Sequence, residues 1–210
     1  MRNFSNTYIF IYISILVVLI VVLLSGLTLG LKSRQETNLA ADKASQILRA
    51  AGYDELKGKA AADLFAKVAV RGEGETERYS VQCADGTTGT VVRVDGKGLW
   101  GPIWGYVVIA QDGKTIKGVT FSHKSETPGL GANITEEKFS SQFVGKSIYD
   151  AAGHCTSVRV LKPGREPQVA ARNRVDAITG ATLTSNGVDA MMQQLPALLD
   201  SNRQTKPAAR

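Results

Sequence analysis

Apolar and polar positions divide the chain sharply. No charged residue lies between Arg2 and Lys32, and Tyr8 to Leu24 read Y-I-F-I-Y-I-S-I-L-V-V-L-I-V-V-L-L. A bilayer crossing takes roughly 20 such residues, so a membrane-spanning helix over 8–31 is predicted. A cleaved signal peptide usually has an apolar region of about 7–15 residues and a small-residue cleavage site. The span here is longer, with no clear A-x-A site, so a retained anchor is the expectation. No cysteine follows the span to carry a lipoprotein anchor.

Beyond the span the period changes. Leu39, Lys43, Ile47 and the run Q-I-L-R-A-A predict a helix from Lys32 to about Ala51, stopped by Gly52. A second short helix is predicted over Gly58–Val68, and R-G-E-G-E-T-E breaks the pattern near position 71. Y-S-V-Q-C and T-V-V-R-V alternate branched residues as strands do. The turn V-D-G-K-G leads to a strand candidate L-W-G-P-I-W-G-Y-V-V-I-A, and A-Q-D-G-K-T-I signals a hairpin into I-K-G-V-T-F-S-H. Glu136 to Val144 reads as a short helix with Phe139 and Phe143 on one face. T-S-V-R-V-L reads as a further strand before the loop K-P-G-R-E-P. Strands flanked by helices without regular alternation imply an α+β domain.

Near the C-terminus Val188, Met191, Met192, Leu195, Leu198 and Leu199 are spaced as one buried helical face. Thr184 or Ser185 is placed to cap that helix. Just ahead runs D-A-I-T-G-A-T, Asp176 to Thr182. Thr182 thus falls at a helix N-terminus, where free N–H groups and the dipole favour an anion. Gly180 and Ala181 leave the backbone open to a bulky phosphate. A phosphate site is the functional reading, and an ordinary cap preceded by turn residues is the alternative.

The net charge of +6 comes from 25 Lys and Arg against 19 Asp and Glu, scattered among one another. There is no basic run with interleaved aromatics, so no nucleic-acid partner is expected. The two cysteines, Cys83 and Cys155, are far apart and lack C-x-x-C or histidine partners, so no metal site is expected. Buried free thiols are the default for them, with pairing left open. His123 reads as structural, and His154 has no stronger claim. Both tryptophans, Trp100 and Trp104, lie in G-K-G-L-W-G-P-I-W-G-Y. They suit either the wall of a planar ligand or core positions sharing one face at period two. No nucleotide fingerprint, iron–sulfur cysteine set or haem motif is present, so the chain is not expected to take hydride from a nicotinamide cofactor unaided.

The stretch Asp176–Thr182 matches the flavinylation motif Asp-x-x-Ser/Thr-Gly-Ala-Ser/Thr, and on it the chain resembles the FMN-binding domain family. The resemblance implies FMN held by a phosphoester on Thr182, installed by a separate flavin transferase with FAD as donor. Asp176, Thr179, Gly180 and Ala181 would form the surrounding motif, with Leu183 and Thr184 beside it. Thr179 stands where serine is common and keeps the hydroxyl. The glycine–tryptophan segment resembles the family's equivalent and places Trp100 at the flavin. E-T-P-G-L-G resembles the second fingerprint of the isoalloxazine pocket, which makes Glu126, Thr127, Gly129 and Leu130 candidate FMN neighbours. Lys124 is a candidate positive charge near the reduced flavin. The segment L-A-A-D-K-A-S-Q-I-L-R-A-A-G is similar to the post-anchor region of one branch, the C subunits of sodium-translocating NADH:quinone oxidoreductases. The related G subunit of Rnf ferredoxin:NAD oxidoreductases is the alternative.

These readings combine into one expectation: a single N-terminal transmembrane helix followed by one extracytoplasmic α+β FMN-binding domain. The expected partition is a cytoplasmic tail over 1–7, the anchor over 8–31, a post-anchor helical segment over 32–70, the FMN-binding domain over 71–200 and a flexible tail over 201–210. Charge alone slightly opposes this orientation, because Lys32, Arg34 and Lys43 flank the far side against Arg2. The resemblance decides it, placing the flavin domain outside the bacterial inner membrane. The implied function is electron relay through covalent FMN in a sodium-pumping complex. No residue is catalytic alone, and the expected partners are the other membrane subunits and the flavin transferase. Two other classes compete. One is an anchored binding or assembly module without covalent flavin. The other makes Thr182 a hydrolase nucleophile, for which the sequence places no activating base.

Overall fold

One helix, α1 (Asn6–Ala50), runs through the apolar span and the segment expected as a separate post-anchor helix. The computed structural model describes residues 5–72, 77–164 and 169–200. Most of the expected tail over 1–7, all of that over 201–210, and parts of the R-G-E-G-E-T-E and K-P-G-R-E-P loops lie outside the described residues. Two compact units emerge, Met1–Ala41 and Asp42–Arg210. The first is the greater part of α1. Its apolar side chains from Tyr8 to Leu31 are exposed around the whole circumference, a surface suited to lipid rather than water. Among the described residues it is the one helix long and apolar enough to cross a membrane.

The second unit is built on a five-stranded antiparallel sheet, β1 (Ala69–Arg71), β2 (Arg78–Gln82), β3 (Thr88–Lys97), β4 (Pro102–Ala110) and β5 (Ile116–His123), each paired with the next. The turn expected at V-D-G-K-G is instead the end of β3, where Asp95 and Gly96 pair with Trp104 and Ile103. Pairing to a long neighbour overrides local turn chemistry there. Period-two alternation sends side chains to two covered faces. Val92, Val94, Ile103, Val107 and Phe121 enter one core, while Tyr79, Val81, Val91, Tyr106 and Val108 enter the other.

The second core is closed by the last turns of α1, through Ile47, Ala50 and Ala51, and by α2 (Gly58–Val68). Gly52 ends α1 with φ 87°, and the N–H of Tyr53 bonds back to Leu48 O at 3.1 Å, a left-handed helix stop. The contact is tight: a Cβ at Gly118 of β5 would fall under 3.0 Å from the Ala50 carbonyl oxygen. Backbone cannot yield as a flexible side chain does. Gly118→Ala is therefore expected to lower stability by about 1–3 kcal/mol in urea unfolding. An unchanged midpoint would mean that α1 does not seat on β5.

The first core is covered by α3 (Glu137–Ser140), the parallel pair β6 (Arg159–Leu161) and β7 (Arg174–Asp176), α4 (Thr182–Met192) and α5 (Leu195–Asp200). Phe139 and Phe143 are both buried, and Phe143 packs edge-on with both Phe121 and Phe139. The single C-terminal helix expected from the spacing is two helices. Pro196 has no N–H for the Met192 carbonyl, so α4 stops, and that carbonyl instead accepts the Ser157 hydroxyl at 2.7 Å. The apolar face nevertheless continues, with Val188, Met191, Met192 and Leu195 all fully buried. The class is α+β, as the lack of regular strand–helix alternation implied.

Candidate functional site: the mouth of helix α4

Helix α4 begins at Thr182 itself. Its N-cap is Ala181, at φ −120° and ψ 47°, and no side chain caps the free N–H groups. The caps expected from Thr184 and Ser185 do not form, because both hydroxyls are buried in the first turn and used elsewhere. Ser185 Oγ accepts from Ile178 N–H at 3.1 Å, which pins the approach to the helix. Thr184 donates to Glu126 Oε2 at 2.6 Å. The Thr182 side chain is left exposed on the first residue of an uncapped helix, where an anion is favoured.

Glu126 is the centre of this region and is only 4% exposed. Its other oxygen, Oε1, accepts from Trp100 N–H at 2.8 Å, and its own N–H donates to His123 Nδ1 at 3.1 Å. The carboxylate fits between two glycines, since a Cβ at Gly98 or Gly131 would fall under 3.0 Å from it. Burial alone would raise the Glu126 carboxyl. The Thr184 hydroxyl and the Trp100 and Gly101 N–H groups outweigh burial and hold it below its ordinary value of 4.5. A depressed carboxyl stabilises the fold above its unfolded value and loses that contribution as pH falls through the folded value. Acid unfolding below about pH 4.5 should therefore be blunted in Glu126→Gln. Equal acid sensitivity of variant and native chain, followed by tryptophan emission, would refute an ionised Glu126.

Several sequence-derived candidates converge here. Trp100 is tied through Glu126 to Thr184, Leu130 reaches Gly180, and Gly131 lies against Thr184. Leu99, Trp100, Leu130 and Leu183, carried on these linked segments, are 49%, 66%, 44% and 59% exposed, a concentration of exposed large apolar side chains that marks a binding surface. Thr127 and Gly129 form the exposed turn beside them, with Gly129 at φ 75° and the Thr127 carbonyl accepting the N–H of Leu130 and of Ala132. Gly98, Gly131 and Leu99 were not singled out in the sequence. The repeated glycines of G-K-G-L-W and G-L-G were their only signal.

Three expectations part from this cluster. Trp104 does not share a face with Trp100: β4 starts at Pro102, so Trp100 precedes the strand, while Trp104 packs toward the α1 core and donates to Gln46 Oε1 at 3.1 Å. Asp176 and Thr179 are exposed and line a separate cavity of about 630 Å³ with Asn133, Glu136, Lys138 and Gln142. The Asp176 contact with Gln142 is through its backbone N–H. Another cavity, of about 720 Å³ and lined in part by Asp150, Cys155, Arg159 and Asn173, contains none of the motif residues. Cys83 and Cys155 are not joined in a disulfide.

The residues present fit FMN. Exposed apolar side chains offer a surface to a planar ring, and an uncapped helix mouth with an adjacent hydroxyl offers one to a phosphate.

Comparison with known proteins agrees. Residues 98–196 match the FMN-binding domain, a span running from the Gly98 turn through α4. The C subunit of the Na(+)-translocating NADH-quinone reductase of Vibrio alginolyticus is 30% identical, over 79% of this chain and 80% of that protein. Its Pseudomonas aeruginosa counterpart is 38% identical over 67% of this chain and 57% of its own length. The crystal structure of the C subunit from Parabacteroides distasonis superposes with a TM-score of 0.69 at 34% identity, covering 80% of this chain and 96% of that one. With its FMN-binding domain, apolar N-terminal helix and α+β fold, the chain belongs to the family of C subunits of Na(+)-translocating NADH-quinone reductases.

Proposed function

We propose that this chain is a membrane-anchored electron-transfer subunit that carries FMN covalently on Thr182. The observation that supports this most is an exposed hydroxyl on the first residue of an uncapped helix, set among exposed apolar side chains. In maturation the Thr182 hydroxyl oxygen bonds to the FMN phosphorus of FAD. The pyrophosphate bond breaks, AMP leaves, and the hydroxyl proton goes to solvent or to the transferase. Gly180 and Ala181 lead directly to that oxygen, while Asp176 and Thr179 of the motif line the neighbouring cavity. Trp100, Leu130 and Leu183 flank the ring, with Thr127 and Gly129 shaping the adjacent turn. FMN supplies the redox chemistry, and the protein supplies position and electrostatics.

Residues 8–31 serve as a single-pass anchor, 1–7 stay cytoplasmic, and the segments from 32 onward, including the flavin domain over 71–200, lie outside the bacterial inner membrane. Anchoring keeps the flavin at high effective concentration beside the other membrane subunits of a sodium-pumping NADH:quinone oxidoreductase. A covalent bond prevents its loss to the outside.

The full-length chain, produced with a flavin transferase and denatured on a gel, should show flavin fluorescence at its own band. Intact mass should place FMN on the peptide containing Thr182. A bare peptide mass in cells that flavinylate other proteins would end the proposal. Lys124 is exposed and its Cβ lies near the Gly101 turn. A positive charge there stabilises added negative charge on the flavin, so Lys124→Ala should lower the flavin midpoint potential in a spectroelectrochemical titration. An unchanged midpoint would remove Lys124 from the site.

A further inference from the structure

We infer that Glu126 is a positioning residue: its carboxylate locks the Gly98–Gly101 turn to the first turn of α4, so that Trp100 and Thr182 are presented together to one ligand. The inference deepens the flavin reading and rests on it for the ligand's identity. The resemblance alone made Glu126 a neighbour of the isoalloxazine. Instead, both carboxylate oxygens face protein donors, Oε1 the Trp100 N–H at 2.8 Å and Oε2 the Thr184 hydroxyl at 2.6 Å. The side chain is buried, wedged between Gly98 and Gly131.

The turn needs such a lock. Gly98 and Gly101 bracket Leu99 and Trp100, and the turn closes on itself through one bond, Gly98 N–H to Gly101 O at 2.8 Å. Glycine at both ends leaves the backbone free to reorient. Among the described residues, Glu126 is the side chain that hydrogen-bonds to both this turn and α4. Its own backbone is fixed in turn by donation to His123 Nδ1 at 3.1 Å. The chemistry selects a carboxylate. It accepts at both oxygens, whereas an amide must turn an NH₂ toward one of the two donors. The Thr184 hydroxyl can rotate to accept from that NH₂, but the Trp100 N–H cannot. Glutamine therefore keeps the lock in one orientation only, and alanine loses it entirely.

The test uses the full-length chain. On the chain without flavin, amide hydrogen exchange at Trp100 is compared with that at Val107 in the middle of β4. Glu126→Ala should speed Trp100 exchange at least tenfold and leave Val107 unchanged, with Glu126→Gln recovering part of the protection. Single-turnover loading of Thr182, by flavin transferase with FAD, should fall at least tenfold in Glu126→Ala and recover in the same order. Unchanged Trp100 exchange, or native loading, in a folded Glu126→Ala chain overturns the inference. Should Glu126→Ala fail to fold, Thr184→Val decides, because it releases the Oε2 arm alone. Faster Trp100 exchange with slower loading supports the lock, and native values of both overturn it. A native chain that takes no flavin at Thr182, with the exchange pattern as expected, would leave the lock standing and remove the covalent-flavin reading instead.

Discussion

Thr182→Ala yields a full-length chain with no covalently bound flavin and an unfolding midpoint like that of the native protein. Both halves of the result follow from where the residue sits. Its side chain is exposed and caps nothing, so truncating it removes no buried contact and shifts stability by less than about 0.5 kcal/mol. Alanine also suits the first helical turn at least as well as threonine. Yet the hydroxyl oxygen is the one atom through which the phosphoester can form, so its loss is complete. Thr184, two residues on, behaves in the opposite way. Its hydroxyl donates to a buried carboxylate, and removing a partner from a buried charged group costs about 1.5–3 kcal/mol. Thr184→Val should therefore keep some flavin while unfolding earlier, and Thr182→Ala should lose all flavin while unfolding normally. Fluorescence of the denatured band and urea midpoints on both variants separate the two roles. A fluorescent band in Thr182→Ala, with none in Thr184→Val, would move the attachment site by two residues.

The contrast shows where the sequence was a sufficient guide. Long, strongly periodic segments read correctly: α2 spans Gly58–Val68 and β5 spans Ile116–His123, both as the pattern predicts. The helix mouth at Thr182 was also legible, because uncapped N–H groups and small residues before them are local properties. Two of the three-residue strands were not. β1 and β7 are too short to show a period, and their pairing is set by distant partners, β2 and β6. The caps failed for a related reason. Threonine and serine near a helix start cap it by default, but Thr184 and Ser185 are drawn into buried bonds with Glu126 and Ile178, and no local rule encodes those partners. Trp104 likewise matched a ligand wall until the strand start at Pro102 turned it toward Gln46.

The site depends further on how closely α4 can lie on the sheet, which makes Gly187→Ala the second large effect. In an isolated helix this change would be favourable by about 0.8–1.0 kcal/mol, because glycine is a poor helix former. Here a Cβ at Gly187 would fall under 3.0 Å from the Lys97 carbonyl oxygen at the end of β3, with Ile103 Cδ1 at 3.3 Å. Across the same contact, Gly96 has the Gly187 carbonyl 3.3 Å from where its own Cβ would be. The obstruction is backbone on backbone, so relief requires moving the helix. Overpacking of this kind costs about 1–3 kcal/mol, sometimes more, and exceeds the propensity gain. Displacing α4 also moves Thr184 away from Glu126, so flavin loading at Thr182 should fall together with stability. Asn186→Ala, exposed on the same helix, receives the propensity gain without the clash and should be neutral or slightly stabilising. Urea midpoints of the two variants, read beside flavin loading, test the packing directly. A Gly187→Ala chain as stable and as fully flavinylated as the native one would show that α4 does not pack on β3 through this glycine contact.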